Sequence, residues 1–122
     1  MRRRILVSFF GMTLVVSVNA TSGFFHQAPS GVKTVTVEMK EFRFIPSRIM
    51  VDRGRVTFEV QNSGEIPHVF QITGAEIDTH IALLPWGTTT LDVSLTTPGE
   101  YKLICPIPRH SEEGMHGSIV VR

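Results

Sequence analysis

Apolar and polar residues alternate along most of the chain, which is the pattern of half-buried β-strands. In the clearest stretch, residues 55–61, the side chains of Val56, Phe58 and Val60 fall on one face and polar side chains on the other. Glycine, proline and asparagine separate the alternating runs and predict turns between them. The pattern predicts strands over residues 33–40, 48–52, 55–61, 67–72, 88–95, 101–105 and 117–122.

One internal stretch, residues 74–85, has no clear period. We expect a longer connection there, with a helical turn near residues 76–80. The chain carries almost no amphipathic helical pattern and no internal repeat. Short strands with evenly spaced turns predict an all-β fold, a Greek-key β-sandwich of seven or eight strands formed by residues 33–122.

The first twenty residues differ from the rest. Three arginines at positions 2–4 precede a mostly apolar run over residues 5–18, and Ala20 supplies a small residue for cleavage. This order predicts a signal peptide over residues 1–20 and an exported protein in the periplasm or on an extracytoplasmic face. The alternative is an uncleaved segment that anchors the protein in the membrane. Residues 21–32, rich in serine, glycine, proline and threonine, are predicted to form a flexible leader.

The charge balance depends on whether the signal peptide, residues 1–20, is removed. The full chain has 12 lysines and arginines against 11 acidic residues, a net charge of +1. Removal of residues 1–20 takes away three arginines and no acid, which leaves nine basic against eleven acidic residues and a net charge of −2. No basic run or arginine–aromatic stripe is present, so nucleic-acid binding is not expected.

The chemistry concentrates in residues 105–115. This stretch holds the only cysteine of the chain, Cys105, followed by His110 and Met115. A thiolate, an imidazole and a thioether suit a soft or borderline metal, and two histidines with one cysteine and a weak axial methionine form the copper site of electron-transfer proteins. Such a site needs a second histidine, and His68, at the start of a predicted strand, is the best candidate.

Other interpretations of these residues were weighed. Cys105 alone could be a buried, inert thiol, but a single thiol in an exported protein favours a metal role. Zinc accepts cysteine and histidine but rarely methionine, so Met115 favours copper. The remaining histidines are predicted not to bind metal: His26 in the leader, His80 on the surface and His116, which should point away from Met115.

At this point the sequence resembles a known family. The spacing Cys-x4-His-x4-Met-x-Gly, with one upstream histidine, is similar to that of the cupredoxins, and the four-residue spacers are most similar to the rusticyanin-like and auracyanin-like branch. The resemblance implies one type 1 copper ion bound by His68, Cys105, His110 and Met115. This sequence departs from the family pattern at Arg109, where many relatives have glycine.

The resemblance also implies a function. It implies a protein that shuttles single electrons between a donor and an acceptor such as a cytochrome or an oxidase, with the ring edge of His110 at the surface. We expect a monomer that meets its partners through a weak, transient interface near His110. The surrounding docking residues would be Pro67, Trp86, Pro106, Ile107 and Pro108.

Two further functions were considered. A copper carrier or buffer that delivers the metal rather than electrons would use the same four side chains. Catalysis is not expected, because a catalytic metal site keeps a position open for substrate or water. Nothing around Cys105 and His110 resembles the motifs of a cysteine nucleophile.

Overall fold

The computed structural model describes residues 32–75 and 77–122. The predicted signal peptide (residues 1–20) lies outside the described residues, as does the leader apart from Val32. Nine strands account for most of the described chain: β1 (Lys33–Lys40), β2 (Arg43–Ile45), β3 (Arg48–Val51), β4 (Gly54–Asn62), β5 (His68–Gly74), β6 (Ile77–Leu83), β7 (Thr88–Leu95), β8 (Gly99–Ile104) and β9 (His116–Val121).

The strands form two sheets. One has the order β2-β1-β4-β7 and the other β3-β9-β8-β5-β6. Strands β1 and β4 run parallel, as do β3 and β9, whereas the other pairs are antiparallel. The prediction of an all-β Greek-key sandwich is therefore confirmed.

The core between the sheets follows the predicted alternation. In β4, Val56, Phe58 and Val60 are at most 1% exposed, as the pattern of residues 55–61 predicted. The largest side chains of the core come from both sheets, and Phe58 of one sheet contacts Phe70 of the other with ring centroids 5.4 Å apart. Burial of these apolar side chains, each contributing about 1.5–3 kcal/mol, is the main force that holds the two sheets together.

The expectation for residues 74–85 was wrong. Residues 77–83 form strand β6 rather than a connection with a helical turn, and the strand count is nine rather than seven or eight. In β6, Ile77, Thr79, Ile81 and Leu83 are half-buried and alternate with exposed residues. The alternation was hard to recognise because β6 is an edge strand, whose inward positions are only half-buried and tolerate a threonine.

The metal-binding candidates gather at one end of the five-stranded sheet. Strands β8 and β9 are antiparallel neighbours, so the end of one and the start of the other lie side by side. Strand β5, which His68 begins, pairs with β8 on its other side. The described residues include no helix with the length and apolar character needed to cross a membrane.

Candidate metal centre

The loop between β8 and β9 holds three of the four candidate residues. Cys105 follows the last residue of β8 and Met115 precedes the first residue of β9. Because the two strands pair, the amide of Cys105 donates a hydrogen bond of 3.1 Å to the carbonyl of Met115 and closes the loop at its base. A second hydrogen bond lies within the loop, where the amide of Met115 donates to the carbonyl of His110 at 2.9 Å.

Gly114 allows this loop to turn into β9. Its φ of 118° lies in the region that favours glycine, and a side chain there would approach the backbone carbonyl of Phe42 at 3.2 Å. The backbone angle of Gly114 therefore allows the sharp turn that leads into Met115 and β9. Further backbone hydrogen bonds within the loop join Ile107 to His110 and Arg109 to Glu113. The short loop therefore presents its side chains from a well-connected backbone.

His68 reaches the same place from the neighbouring strand. It is the first residue of β5 and is fully buried, and Phe70 and Ile72, which share its face of the strand, are buried too. The amide of Val69, the next residue, donates to the sulfur of Cys105 at 3.5 Å. This hydrogen bond joins strand β5 to the loop that carries Cys105.

Three predicted side chains meet in one cluster. The Nδ1 atom of His68 lies 3.3 Å from Nδ1 of His110, and Sγ of Cys105 lies 3.4 Å from Nδ1 of His110. One donor atom from each of the three residues falls within 4.8 Å of the others. Three lone-pair donors that converge in a buried site form a donor set suited to a copper or zinc ion.

Met115 completes the residues predicted from the sequence. Its side chain is fully buried, and the backbone hydrogen bonds to Cys105 and His110 place it at the base of the same loop. A buried thioether on the loop that carries Cys105 and His110 suits copper better than zinc, because zinc rarely uses this ligand. The residues of this end of the sandwich thus fit a copper ion by burial, donor type and convergence.

Burial lowers the pKa of His68 below its ordinary value of 6.5. The carboxylate of Glu41 acts in the opposite direction, and His110 nearby adds to the lowering. A neutral imidazole is the form that binds metals, so the burial of His68 keeps it ready for coordination near neutral pH.

The sequence did not identify the turn between β1 and β2 as part of the site. Lys40 pairs with Arg43, so Glu41 and Phe42 form a two-residue hairpin loop. Glu41 places its Oε1 atom 3.4 Å from Nε2 of His68, and the ring of Phe42 packs edge-on against His110 with centroids 5.2 Å apart. One turn therefore contacts both histidines.

No local signal marks that turn in the sequence. Two-residue hairpin loops usually carry glycine, asparagine or aspartate, and Glu41 and Phe42 are none of these. Phe42 has a left-handed φ of 61°, and its side chain is 36% exposed. Only the pairing of the two strands brings Glu41 and Phe42 to the histidines.

The other histidines of the described chain stay away from the cluster. His80 is exposed on β6 and His116 is exposed at the start of β9. His26 lies outside the described residues. Arg109, the residue that departs from the resemblance, is exposed and has a φ of 74°. Glycine adopts this conformation without steric strain, which gives a physical reason for the glycine of the family pattern at this position.

Exposed apolar side chains lie near the site, on the turn that follows β6. Leu84 is 72% exposed and Trp86 is 70% exposed, while Leu83, which pairs with His68, packs against the core. Leu83 therefore belongs to the core, whereas Leu84 and Trp86 form an exposed apolar surface.

The buried side chain of Asn62 fixes the position of this turn. Its amide donates hydrogen bonds to the carbonyls of Ile66 and Leu83, at 2.9 and 3.0 Å. Its backbone exchanges hydrogen bonds with Trp86 and Gly87, at 2.8 and 2.9 Å. Asn62 therefore links the segment before His68 to the turn that carries Trp86.

Comparison with known proteins agrees with this architecture. A family model described as a Cupredoxin-like domain matches residues 7–121. A curated relative, the "Copper-resistant cuproprotein CopI" of Rubrivivax gelatinosus, is 30% identical over 115 residues, an alignment that covers 78% of this chain and 70% of that protein.

Solved structures give the same fold. Reduced auracyanin from Roseiflexus castenholzii superposes with a TM-score of 0.67 at 19% identity, covering 75% of this chain and 99% of that one. Auracyanin A from Chloroflexus aurantiacus, a "blue" copper protein, superposes with a TM-score of 0.65 at 18% identity, covering 75% of this chain and all of that one.

Proposed function

Because this chain belongs to the cupredoxin-like domain family, we propose that it is an exported protein that binds one type 1 copper ion and passes single electrons between redox partners. The observation that carries the proposal is the buried cluster, in which Sγ of Cys105 and the Nδ1 atoms of His68 and His110 already converge. Met115 is proposed as the axial ligand. Bound copper would supply the Cu(I)/Cu(II) couple, which accepts and releases one electron.

The residues of the chain have separate tasks in this proposal. Cys105 provides the anionic ligand, since a thiol is deprotonated when it coordinates a metal. The rigid frame of β5, β8 and β9 holds the donor atoms close to one another before any metal arrives. Full burial of His68, Cys105 and Met115 excludes water from these side chains, and a site that excludes water would favour the lower-charged Cu(I) state.

His110 is the proposed route for electrons. It is 8% exposed, whereas the other three candidate ligands are fully buried. Exposed Pro106 and Pro108 lie on its loop, and Leu84 and Trp86 provide an apolar surface on the turn after β6. A small apolar interface of this kind suits the weak and brief encounters of redox proteins, and a protein donor and acceptor are proposed to dock there.

Export is proposed from the sequence of residues 1–20, with the periplasm or an extracytoplasmic face as the location. Catalysis is not part of the proposal. Four side-chain donors would fill the coordination of a copper ion and leave no open position for a substrate.

The curated relative favours a second candidate function. Its name describes a cuproprotein of copper resistance, and this chain could likewise serve copper tolerance as a carrier or buffer of the metal. The two functions differ in how firmly the metal is held. A carrier should hand Cu(I) to an acceptor chelator readily, whereas an electron carrier should retain it while exchanging electrons quickly with a small redox protein.

The first experiment is the visible absorption spectrum of the purified protein after addition of Cu(II). An intense thiolate-to-copper charge-transfer band, absent in Cys105→Ser, is the expected result. A colourless protein that retains zinc or no metal would contradict the proposal. For a protein with the band, electron exchange and Cu(I) release measured on the same sample decide between the two functions.

A further inference from the structure

The far side of the His68 ring needs an explanation. Its Nδ1 atom faces the cluster, and its Nε2 atom is buried on the opposite edge of the ring. Within the described chain this nitrogen has no hydrogen bond of good geometry, yet Oε1 of Glu41 lies 3.4 Å away. A buried N–H without an acceptor is unfavourable, so a small movement that brings the carboxylate onto Nε2 is favourable.

The carboxylate of Glu41 is held in place by backbone hydrogen bonds, although the side chain is 39% exposed. Its Oε1 atom accepts hydrogen bonds from the amides of Glu65, at 2.6 Å, and Ile66, at 3.3 Å. These amides belong to the segment that leads into His68. Desolvation acts to raise the pKa of Glu41, but the backbone donors outweigh it and the pKa lies below the ordinary value of 4.5.

Gly64 leaves the room that the carboxylate occupies. A Cβ atom built on Gly64 would collide with the carboxylate of Glu41. The φ of Gly64 is not in the left-handed region, so a larger residue here would not strain the backbone but would displace the carboxylate from its place beside His68. The turn between β1 and β2, the glycine and the two amides together form a seat for one carboxylate beside His68.

We propose that Glu41 is a positioning residue that keeps the proton of His68 on Nε2, so that the Nδ1 lone pair faces Cys105 and His110. The inference rests on the proposed function, in which His68 is a copper ligand. Carboxylates that accept the distal N–H of a ligand histidine fix its tautomer and ring orientation and raise its basicity. A fixed negative charge behind the ligand also favours the more highly charged Cu(II).

Glu41 is not itself placed to bind the metal. Its carboxylate contacts Nε2, the nitrogen on the side of the ring away from the cluster, and the ring of His68 separates it from Cys105. Its contribution therefore passes through His68. A purely structural role, as an anchor of residues 64–67, is the alternative that the test must distinguish.

Three variants of the full chain separate these roles. Glu41→Ala removes both the acceptor and the charge, while Glu41→Gln removes the charge but keeps an acceptor oxygen for Nε2–H. Glu38→Gln is the matched control, because Glu38 accepts a hydrogen bond from Ser63 of the same segment and contacts neither histidine. It carries the same charge change and loosens the same segment.

The first measurement needs no copper. Nitrogen chemical shifts of the His68 ring in the metal-free protein, recorded by long-range proton–nitrogen correlation, report which nitrogen carries the proton. We expect the Nε2–H form in the unsubstituted protein, in Glu41→Gln and in Glu38→Gln. In Glu41→Ala the Nδ1–H form should become populated.

The second measurement uses the copper-loaded protein. Loss of such a histidine partner weakens metal binding about 10–100-fold, so Glu41→Ala should lower the Cu(II) affinity by that factor. Each tenfold loss of Cu(II) affinity relative to Cu(I) raises the reduction potential by about 59 mV. Glu41→Gln should fall between Glu41→Ala and the unsubstituted protein, and Glu38→Gln should show neither change.

Two results would overturn the inference. One is an Nδ1–H tautomer of His68 in the unsubstituted, metal-free protein. The other is a Glu41→Ala variant that matches Glu38→Gln in tautomer, affinity and potential, which would assign Glu41 to anchoring alone. If the unsubstituted protein binds no copper, the proposed function fails, and the tautomer measurement still decides whether Glu41 positions His68.

Discussion

His68 and His110 offer the same ring nitrogen to one cluster from two different parts of the fold. His68 begins strand β5, is fully buried and has a carboxylate, Glu41, behind its ring. His110 lies on a loop, is 8% exposed and has the aromatic ring of Phe42 against it. One histidine is thus surrounded by the core and a fixed charge, and the other by an apolar group and solvent.

The two histidines meet two different requirements of the site, a fixed orientation and access from outside. The strand histidine is positioned by residues distant in the sequence, so the whole sandwich fixes its orientation. The loop histidine is positioned mainly by hydrogen bonds within residues 105–115, which leaves its outer edge free to meet another molecule. In the proposed function, His68 holds the copper ion in a fixed position, and His110 gives redox partners access to it.

The largest expected effect comes from removing each histidine in turn. His68→Gly and His110→Gly should both lose the charge-transfer band of the copper protein. Added imidazole should restore most of it in His110→Gly, where the opening reaches solvent, and little in His68→Gly, where the cavity is buried. His80→Gly, an exposed position on β6, serves as the control and should keep the band. If imidazole restored the band equally in both variants, the contrast between a buried His68 and an accessible His110 would be wrong.

Substitution of Met115 should give the next largest effect, a change in the reduction potential. Met115→Gln should keep the charge-transfer band but lower the reduction potential, because an axial amide oxygen favours Cu(II) more than a thioether does. Cyclic voltammetry measures the shift. Met50→Gln is the matched control, since Met50 is 50% exposed on β3. An unchanged potential in Met115→Gln would show that Met115 is not the axial ligand.

The burial of His68 should appear in the pH dependence of stability. Its pKa is lowered by burial, so the unfolded chain binds a proton at higher pH than the folded, metal-free protein. The free energy of unfolding should therefore decrease as pH falls below 6.5, by at most about 1.4 kcal/mol per pH unit. Denaturant titrations from pH 7.5 to about 5 measure it. His68→Gln should flatten this dependence, and His80→Gln should not.

The smallest expected effect is a change in stability on substitution of Arg109, which precedes His110 in the loop. Arg109 has a φ of 74°, and a left-handed conformation costs a residue with a Cβ atom about 1–2 kcal/mol. Part of this is offset in the unfolded state, where glycine gains about 0.4–1 kcal/mol of chain entropy. Arg109→Gly should thus stabilise the protein by up to about 1 kcal/mol, measured by thermal or denaturant unfolding. Arg109→Ala removes the same charge but keeps Cβ, and an equal gain there would show that charge rather than backbone strain is responsible.

Much of the fold was readable because alternation reports burial directly. The inward faces of β4 and β7 followed from the period of two in their sequences, since most of the inward positions are apolar: Val56, Phe58 and Val60 in β4, and Leu91, Val93 and Leu95 in β7. Strand β6 was missed because an edge strand buries its inward side chains only in part, and a threonine at such a position weakens the pattern.

The sequence by itself determined the sandwich class and the local chemistry of residues 105–115, because both are written in short-range spacing. It also pointed to His68, since the loop lacked one histidine. Only the tertiary structure decided what surrounds those residues. Glu41 and Phe42 reach the two histidines because β1 and β2 pair and the two sheets pack face to face, and no local pattern in the sequence encodes contacts that arise from the closing of the sandwich.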